Sequence, residues 1–295
     1  MLYIIQTALQ LGCVYSFVAL ALFLSYRILD IADLTTDGCF VLGMAVSVSC
    51  CAGGHPFAGV ILGMIAGGCA GCVTAILQTR LGVPSILAGI VTNTGLYTIN
   101  LMAMGWSSNI SLLKNETIFS LFKKTNTGGA WNAILLVGMI ALCAMVLMKW
   151  FLSTRLGLSI RATGDNRDMV SASSINPKFT ILVGLVVANM FTGLSGALAG
   201  QLQKSADINA GSGIVTIGLA TLIIGETLIQ GRKSIGRNIC ACLVGNIVYR
   251  CIYAHIIPVE GLKLMTAIIA ALAIASPYIK ENLDVMKRER REKSC

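Results

Sequence analysis

The sequence predicts an all-α polytopic membrane protein with about eight to nine transmembrane helices, its N-terminus outside and its C-terminus in the cytoplasm. Of its 295 residues, 56% are apolar and only 12% are charged, whereas soluble domains carry about 25% charged residues. Apolar runs of about 20 residues, long enough to cross a bilayer core as a helix, recur from end to end. The mean hydropathy is +0.80. These observations exclude an ordinary soluble or disordered protein and leave no room for a soluble catalytic domain.

Nine apolar runs are interpreted as membrane spans. In chain order they lie near Leu2–Ser25, Gly38–Cys51, Phe57–Thr79, Pro84–Met104, Trp131–Leu152, Phe179–Gln201, Gly213–Gln230, Ile235–Ile257 and Leu262–Ile279. The first is expected to be retained, because no basic residue precedes Arg27 and a cleavable signal needs a basic region in front of it. The second is short and follows Arg27–Asp37, which holds three aspartates. A broken or re-entrant segment is predicted there, because irregular backbone at membrane depth must lie against protein or water.

The basic residues predict the orientation of these spans. The net charge is +9, and the basic groups lie in loops and at the C-terminus, where membrane orientation explains them better than nucleic-acid binding. Nine alternating spans place Arg27, Arg80, the 149–178 loop, the 232–237 loop and the C-terminal tail in the cytoplasm. The group formed by Lys114, Lys123 and Lys124 is then outside, against the rule.

Motifs for chemistry are missing from the sequence. A phosphate-binding loop needs Gly-Lys, and this dipeptide does not occur. No catalytic set is apparent, so the chain is predicted not to be an enzyme. Ten of the eleven cysteines lie in or beside apolar runs, where they are interpreted as small apolar residues. No metal ion or cofactor is therefore expected.

Small and polar residues inside the spans indicate where helices touch. Glycines recur every fourth residue, which lets backbones approach closely, either within one subunit or at a dimer seam. These glycines are Gly63, Gly67 and Gly71 in one span and Gly196 and Gly200 in another.

One polar stripe is a candidate for a transport path. Asn93, Tyr97 and Asn100 share one helix face and are expected either to line a polar path or to form interhelical hydrogen bonds. A similar, weaker stripe consists of Asn189, Thr192 and Ser195. Glu226, in an otherwise apolar run, is expected to pair with Arg232 or Lys233 or to seat a helix terminus.

The most distinctive polar segment is the predicted cytoplasmic loop between the fifth and sixth spans. Its middle is expected to form a short helix, capped by Asp165 or Asn166. Met169, Val170 and Ser173 are expected to project from that helix. A short helix with exposed apolar side chains suits a groove on a cytoplasmic partner.

At this loop the sequence resembles a known family. LGLSIRATGDNRDMVSASSINP is similar to the cytoplasmic coupling segment of permeases from the branched-chain amino acid ABC importer group. The resemblance continues through LVVANMFTGLSGALAGQLQKSADINAGSGIVTIGLATLIIGE and, upstream, through YRILDIADLTTDGCFVLGMAV. RILDIADLTTDG, YTINLMAMG, SNISLL and RATGDN most resemble the subgroup described as tryptophan/tyrosine ABC transporter permeases. One departure is Ser173-Ser174-Ile175, where related permeases usually have Gly in the middle.

The resemblance implies an importer permease of the bacterial inner (plasma) membrane, with a single transmembrane domain over 1–280, a coupling loop at 153–178 and a basic tail at 281–295. The expected partners are cytoplasmic ABC ATPase subunits, an extracytoplasmic substrate-binding protein, a second permease copy and the lipid bilayer. The expected ATPase-coupling residues are Arg161, Gly164, Asp165, Asn166, Met169, Val170 and Ser173. The expected pathway residues are Asp33, Thr35, Asp37, Asn93, Tyr97 and Asn100.

The substrate is expected to be an amino acid, with aromatic ones favoured. Another small solute, such as a nucleoside, a sugar or urea, is the alternative within the same class. An ion-coupled secondary transporter is a further alternative, but it predicts inverted repeats that are not clear in the sequence. A membrane-embedded enzyme would need a catalytic set that the sequence does not show.

Overall fold

The structure, a computed structural model, describes residues 2–113, 115–125, 131–229, 234–256 and 271. The helices of the first half are α1 (Leu2–Leu22), continued by a π-helical segment (Phe23–Ile28), α2 (Thr36–Ala52), α3 (Pro56–Thr79), α4 (Ser85–Ala103), α5 (Ile118–Thr125) and α6 (Trp131–Ser153). Those of the second half are α7 (Arg155–Asp165), α8 (Arg167–Ala172), α9 (Pro177–Gln203), α10 (Ile214–Leu228) and α11 (Ile235–Ile256). Two three-residue strands, β1 (Asn109–Ser111) and β2 (Ser205–Asp207), pair antiparallel.

The predicted all-α polytopic fold is confirmed. By length and composition, five helices in the described part of the chain can cross a membrane: Ile5–Ile28, α3, α4, α6 and α9. The helices α2 and α10 are apolar but shorter. The predicted ninth span, Leu262–Ile279, and the tail at 281–295 lie outside the described residues, apart from Ala271. The orientation of the chain in the membrane remains a prediction.

The predicted break between the first two spans is present. The π-helical segment ends at Ile28, Asp30 adopts a left-handed backbone conformation (φ 54°), and helix resumes only at Thr36. The side chains of Ile31 and Asp33 in this irregular stretch are buried. Irregular backbone survives at membrane depth when it is surrounded by protein. Ile31 and Asp33 satisfy that condition, whereas Asp30 is exposed.

The glycine stripes pack helices of the same chain together. α9 lies against α3, α2 and α1. At the crossing of α3 and α9, a Cβ added to Gly67 would lie 3.0 Å from the Cα of Gly193. A Cβ on Gly196 would collide with the Phe40 carbonyl of α2, and one on Gly200 would lie 2.8 Å from Met44. Both glycine stripes therefore lie against helices of the same subunit. This favours a role in packing within one subunit rather than at an interface between two copies.

Two features of the loop between α4 and α6 were not predicted from the sequence. The loop contains the short helix α5 and the strand β1, which pairs with β2 after α9. Gln201 of α9 ties this region to the bundle. Its Oε1 accepts a hydrogen bond from the Ile118 backbone N–H (3.0 Å), and its Nε2 donates to Ser47 Oγ (2.9 Å) and to the Pro56 carbonyl (2.8 Å).

Candidate functional site

A polar cleft of about 410 Å³ lies between the start of α2, the middle of α4 and the loop from β2 to α10. Four of the six residues predicted for a substrate pathway line it. These are Asp37, Asn93, Tyr97 and Asn100. Asp37 is far from the three α4 residues in the sequence. The four residues come together because the fold places the start of α2 beside α4.

The predicted polar face of α4 contains residues with two different environments. Tyr97 is 53% exposed, so its phenol ring is free to meet a solute in the cleft. Asn100 is only 2% exposed, and its Nδ2 donates a hydrogen bond to the Gly38 carbonyl of α2 (3.1 Å). The interhelical hydrogen bond considered for this face therefore exists at Asn100, while Tyr97 lies on the open side.

Asp37 organises the opposite wall of the cleft. Its Oδ1 accepts a hydrogen bond from the Val215 backbone N–H (2.9 Å) and its Oδ2 one from the Gly213 N–H (3.3 Å). These donors belong to the first turn of α10, where free backbone N–H groups and the helix dipole favour a carboxylate. Asp37 thus caps α10 and holds the preceding loop against the cleft.

Asp33 and Thr35, also predicted for the pathway, lie outside this cleft. Both are buried, and Asp33 Oδ2 accepts a hydrogen bond from Asn189 Nδ2 of α9 (2.7 Å). Asp33 Oδ1 accepts from the Thr35 backbone N–H (2.9 Å), and the Thr35 hydroxyl is 2.8 Å from the Thr74 hydroxyl of α3. In this structure the two residues fix the start of α2 against α9 and α3.

Sequence reasoning missed the third wall of the cleft. Asn209 and Ser212, in the loop after β2, are exposed and line the cleft beside the backbone of Gly211. The signal was present in the sequence, because DINAGSG is a short polar stretch between two apolar spans. The second polar stripe, Asn189, Thr192 and Ser195, is buried and packs helices, with Ser195 Oγ donating to the Val14 carbonyl (2.8 Å).

The predicted coupling loop forms two helices, α7 and α8, separated at Asn166. Asn166 caps α8 as expected, its Oδ1 accepting a hydrogen bond from the Met169 backbone N–H (3.0 Å). Met169 is 69% exposed and projects as predicted, and Ser173 is exposed. The prediction that Val170 projects is wrong. Val170 is 3% exposed, because the turn of α8 directs it into the protein.

The helix α7 is packed onto the membrane domain. The Thr163 hydroxyl is 2.8 Å from the Thr180 hydroxyl of α9, and both residues are buried. A Cβ on Gly164 would collide with the carbonyl oxygen of Ile28, so glycine permits this close approach to the π-helical segment. Asp165 is exposed and Arg161 half-buried. Of the predicted coupling residues, Gly164 and Val170 therefore face the protein itself.

Glu226 pairs with a residue that the sequence did not single out. Its Oε1 lies 3.1 Å from Nε of Arg27 in the π-helical segment. The two expected partners, Arg232 and Lys233, lie outside the described residues. The ion pair joins the end of α10 to the segment that α7 also contacts, so three elements meet at this end of the bundle.

Comparison with known proteins identifies the family. The family model described as branched-chain amino acid transport system / permease component matches residues 4–276. A tyrosine transport system permease protein of Clostridioides difficile (strain R20291) is 30% identical over 275 residues, 92% of this chain and 90% of the relative. An uncharacterized protein of Rickettsia prowazekii (strain Madrid E) is 32% identical over 283 residues, 92% of this chain and 97% of the relative.

A sugar permease is also similar. The D-allose transport system permease protein AlsC of Escherichia coli (strain K12) is 30% identical over 220 residues, 73% of this chain and 64% of the relative. No solved structure matches the chain. The family match covers almost the whole chain, and the described helices include five that can cross a membrane. The chain therefore belongs to the permease family of branched-chain amino acid transport systems and is a multi-pass protein of the bacterial inner membrane.

Proposed function

We propose that the chain is the transmembrane permease subunit of an ATP-driven importer for amino acids, with aromatic amino acids such as tyrosine as the favoured substrates. Family membership supports the transport function, and the similarity to a tyrosine transport system permease supports the substrate class. Substrate passes through the protein, and a separate ATPase supplies the energy.

The polar cleft is the observation that carries this proposal. Polar side chains inside a membrane protein are costly unless they face protein or a water-filled path. In the cleft, Tyr97, Asn209 and Ser212 are exposed beside Asp37. Hydroxyl, amide and carboxylate groups around the cleft can exchange hydrogen bonds with the ammonium and carboxylate groups of an amino acid.

The cleft also favours a pair of permease subunits. It opens on the surface of a single subunit, where Thr94 and Tyr97 of α4 are exposed among apolar neighbours such as Val91. The Thr94 hydroxyl already donates to the Ile90 carbonyl (2.9 Å), but lipid against this face would leave the Tyr97 hydroxyl without a partner. A second copy across the cleft keeps lipid away and encloses a path between the two subunits.

Energy coupling in the proposed importer runs through the loop of α7 and α8. The exposed residues Asp165, Asn166, Met169 and Ser173 form the surface offered to the ATPase, and Arg161 is at its edge. Gly164 and Val170 support this surface from the protein side. An extracytoplasmic binding protein delivers substrate at the other end and supplies most of the selectivity.

Uptake into proteoliposomes tests the proposal. The permease is reconstituted with its ATPase and binding-protein partners, and labelled tyrosine uptake is measured with ATP inside or outside the vesicles. We expect uptake that requires both partners and ATP on the ATPase side. Uptake by the permease alone, driven by an ion gradient, would instead identify a secondary transporter.

A sugar is the second candidate substrate, because the D-allose transport system permease is also a relative. The cleft's hydroxyl and amide groups suit a polyol as well as an amino acid. Competition decides between them: unlabelled tyrosine, tryptophan, D-allose or a nucleoside is added in excess during tyrosine uptake. Inhibition by the aromatic amino acids alone supports the proposal. Uptake of labelled D-allose without any uptake of labelled tyrosine contradicts the substrate class.

A further inference from the structure

A second cavity, at the other end of the bundle, is rich in groups that attract anions. It has a volume of about 370 Å³ and lies between the α3–α4 turn, α8 and the start of α9. Residues that line it include Gln78, Gly82, Ser85, Arg167 and Lys178. Neither the transport path nor the exposed Met169 surface uses this cavity.

Two cations line this cavity, and none of its described lining residues is acidic. Among the described residues, the ion pair that lies within 4.0 Å joins Arg27 to Glu226, so neither Arg167 nor Lys178 has a carboxylate at that distance. Both side chains are exposed, on α8 and at the start of α9. A cleft lined by charges of one sign raises the local concentration of anions.

Neutral donors add to this charge. α4 begins at Ser85 with no side-chain cap, so its first backbone N–H groups and the positive end of its dipole lie at the cavity wall.

The surroundings of the cavity are apolar. Leu81, Ile86 and Phe179 adjoin its lining residues in the chain, and each side chain is more than half exposed. The cavity also lies where transmembrane helices begin and end, at the level expected for lipid headgroups. Basic pockets of this kind between helices bind phosphate headgroups.

From these observations we propose that the cavity between the α3–α4 turn and the start of α9 is a binding site for a phosphate group, with Arg167, Lys178 and the first turn of α4 as its donors. The phosphate of an anionic phospholipid fits the apolar surroundings, and inorganic phosphate shares the same chemistry. The occupied site would hold the α3–α4 turn, α8 and α9 together beside the coupling surface.

Lipid binding to the purified full-length chain tests the site. The protein in neutral detergent is titrated with phosphatidylglycerol, phosphatidylcholine or inorganic phosphate, and binding is followed by native mass spectrometry and by the melting temperature. Arg167→Gln/Lys178→Gln removes both cations. The matched control, Arg80→Gln/Arg155→Gln, removes two exposed cations at the same end of the bundle that do not line the cavity.

We expect phosphatidylglycerol to bind the wild type in preference to phosphatidylcholine. The cavity pair should weaken this binding roughly thirtyfold, from the attraction of two basic residues to an anionic headgroup, and the control pair should retain it. If inorganic phosphate alone raises the melting temperature and only the cavity pair abolishes that gain, the phosphate source is the free ion. Equal binding by the cavity pair and the wild type, or equal losses in both pairs, would overturn the proposal.

None of these measurements depends on transport, so they test the phosphate site independently of the proposed transport function.

Discussion

At the scale of single residues, Ser174 shows strain that one substitution should relieve. It lies between α8 and α9 with φ 60°, a conformation that costs an L-residue roughly 1–2 kcal/mol. Glycine adopts it freely but loses about 0.5–1 kcal/mol through the entropy of the unfolded chain. We expect Ser174→Gly to stabilise the purified protein by about 0.5–1 kcal/mol in thermal or denaturant unfolding.

Ser173→Gly is the matched control for this effect. Ser173 has φ −87°, which serine adopts without strain, so glycine there should lower stability by about 0.5–1 kcal/mol. Opposite signs for the two neighbours are therefore expected. The same sign at both positions would mean that the turn does not depend on the left-handed conformation of Ser174.

Two residues on the polar face of α4 should respond differently to substitution. Asn100→Leu removes the hydrogen bond to the Gly38 carbonyl, and such interhelical bonds contribute roughly 0.6–2 kcal/mol in membranes. We expect less folded protein in the membrane. Tyr97→Ala should instead reduce uptake at normal membrane levels, because Tyr97 is exposed on the cleft. Normal uptake by Tyr97→Ala would remove this residue from the pathway.

How far sequence could predict these residues depends on the range of the interactions. Helical spacing alone placed Asn93, Tyr97 and Asn100 on one face, since that periodicity is local. The burial of Asp33 depends on Asn189, which is 156 positions away in the chain. No local pattern contains that contact. For the same reason, sequence could not separate the buried Val170 from the exposed Met169.

At the scale of elements, the coupling segment yields the sharpest functional prediction. Met169→Asp puts an unpaired charge where an apolar side chain is proposed to dock on the ATPase. Losing that burial and burying a charge would together cost roughly 4 kcal/mol, nearly a thousandfold in affinity. We expect the variant to reach the membrane in normal amounts, to lose co-purification with the ATPase and to lose uptake.

Val170→Asp serves as the comparison for Met169→Asp. Val170 is buried within the permease itself, so a charge there should destabilise the fold and lower the amount in the membrane. Normal co-purification and transport by Met169→Asp would place the ATPase contact elsewhere on the protein.

The long apolar helices were predictable, whereas α5 and β1 were not. The spans were visible because each needs about 20 apolar residues, and α3, α4, α6 and α9 closely match the predicted limits. The helix α5 has eight residues, and β1 has three. β1 takes its register from β2, which follows α9. Segments this short are fixed by tertiary partners rather than by their own composition.

At the scale of the whole molecule, α9 connects the polar cleft to the coupling segment formed by α7 and α8. Its buried Asn189 holds the start of α2 beneath the cleft, while its first turn carries Thr180, bonded to α7 of the coupling segment. Its last turn carries Gln201, which binds α2, α3 and the start of α5. A displacement of α7 by a docked ATPase would therefore act on the helix that supports the cleft.

The orientation of the molecule is the prediction on which the sites depend, because a coupling surface must face the cytoplasm. Single cysteines are placed in a Cys-less variant at Leu113, before α5, and at Ala172, at the end of α8, both exposed positions. If the N-terminus is outside, Leu113→Cys should react with an impermeant maleimide in cells whose outer membrane, where present, has been permeabilised. Ala172→Cys should react only after the inner membrane is opened.

The two positions control for each other, since both side chains are open to solvent and differ only in the side of the membrane that they face. The positive-inside bias supports the expected result through the basic residues of the 149–178 loop, while Lys114, Lys123 and Lys124 oppose it. The 149–178 loop carries more basic residues than the loop before α6, so we expect it to determine the orientation. Labelling of Ala172→Cys but not Leu113→Cys before the inner membrane is opened would show that the orientation is the opposite of the predicted one. The helix α8 would then lie outside, where no cytoplasmic ATPase could contact it.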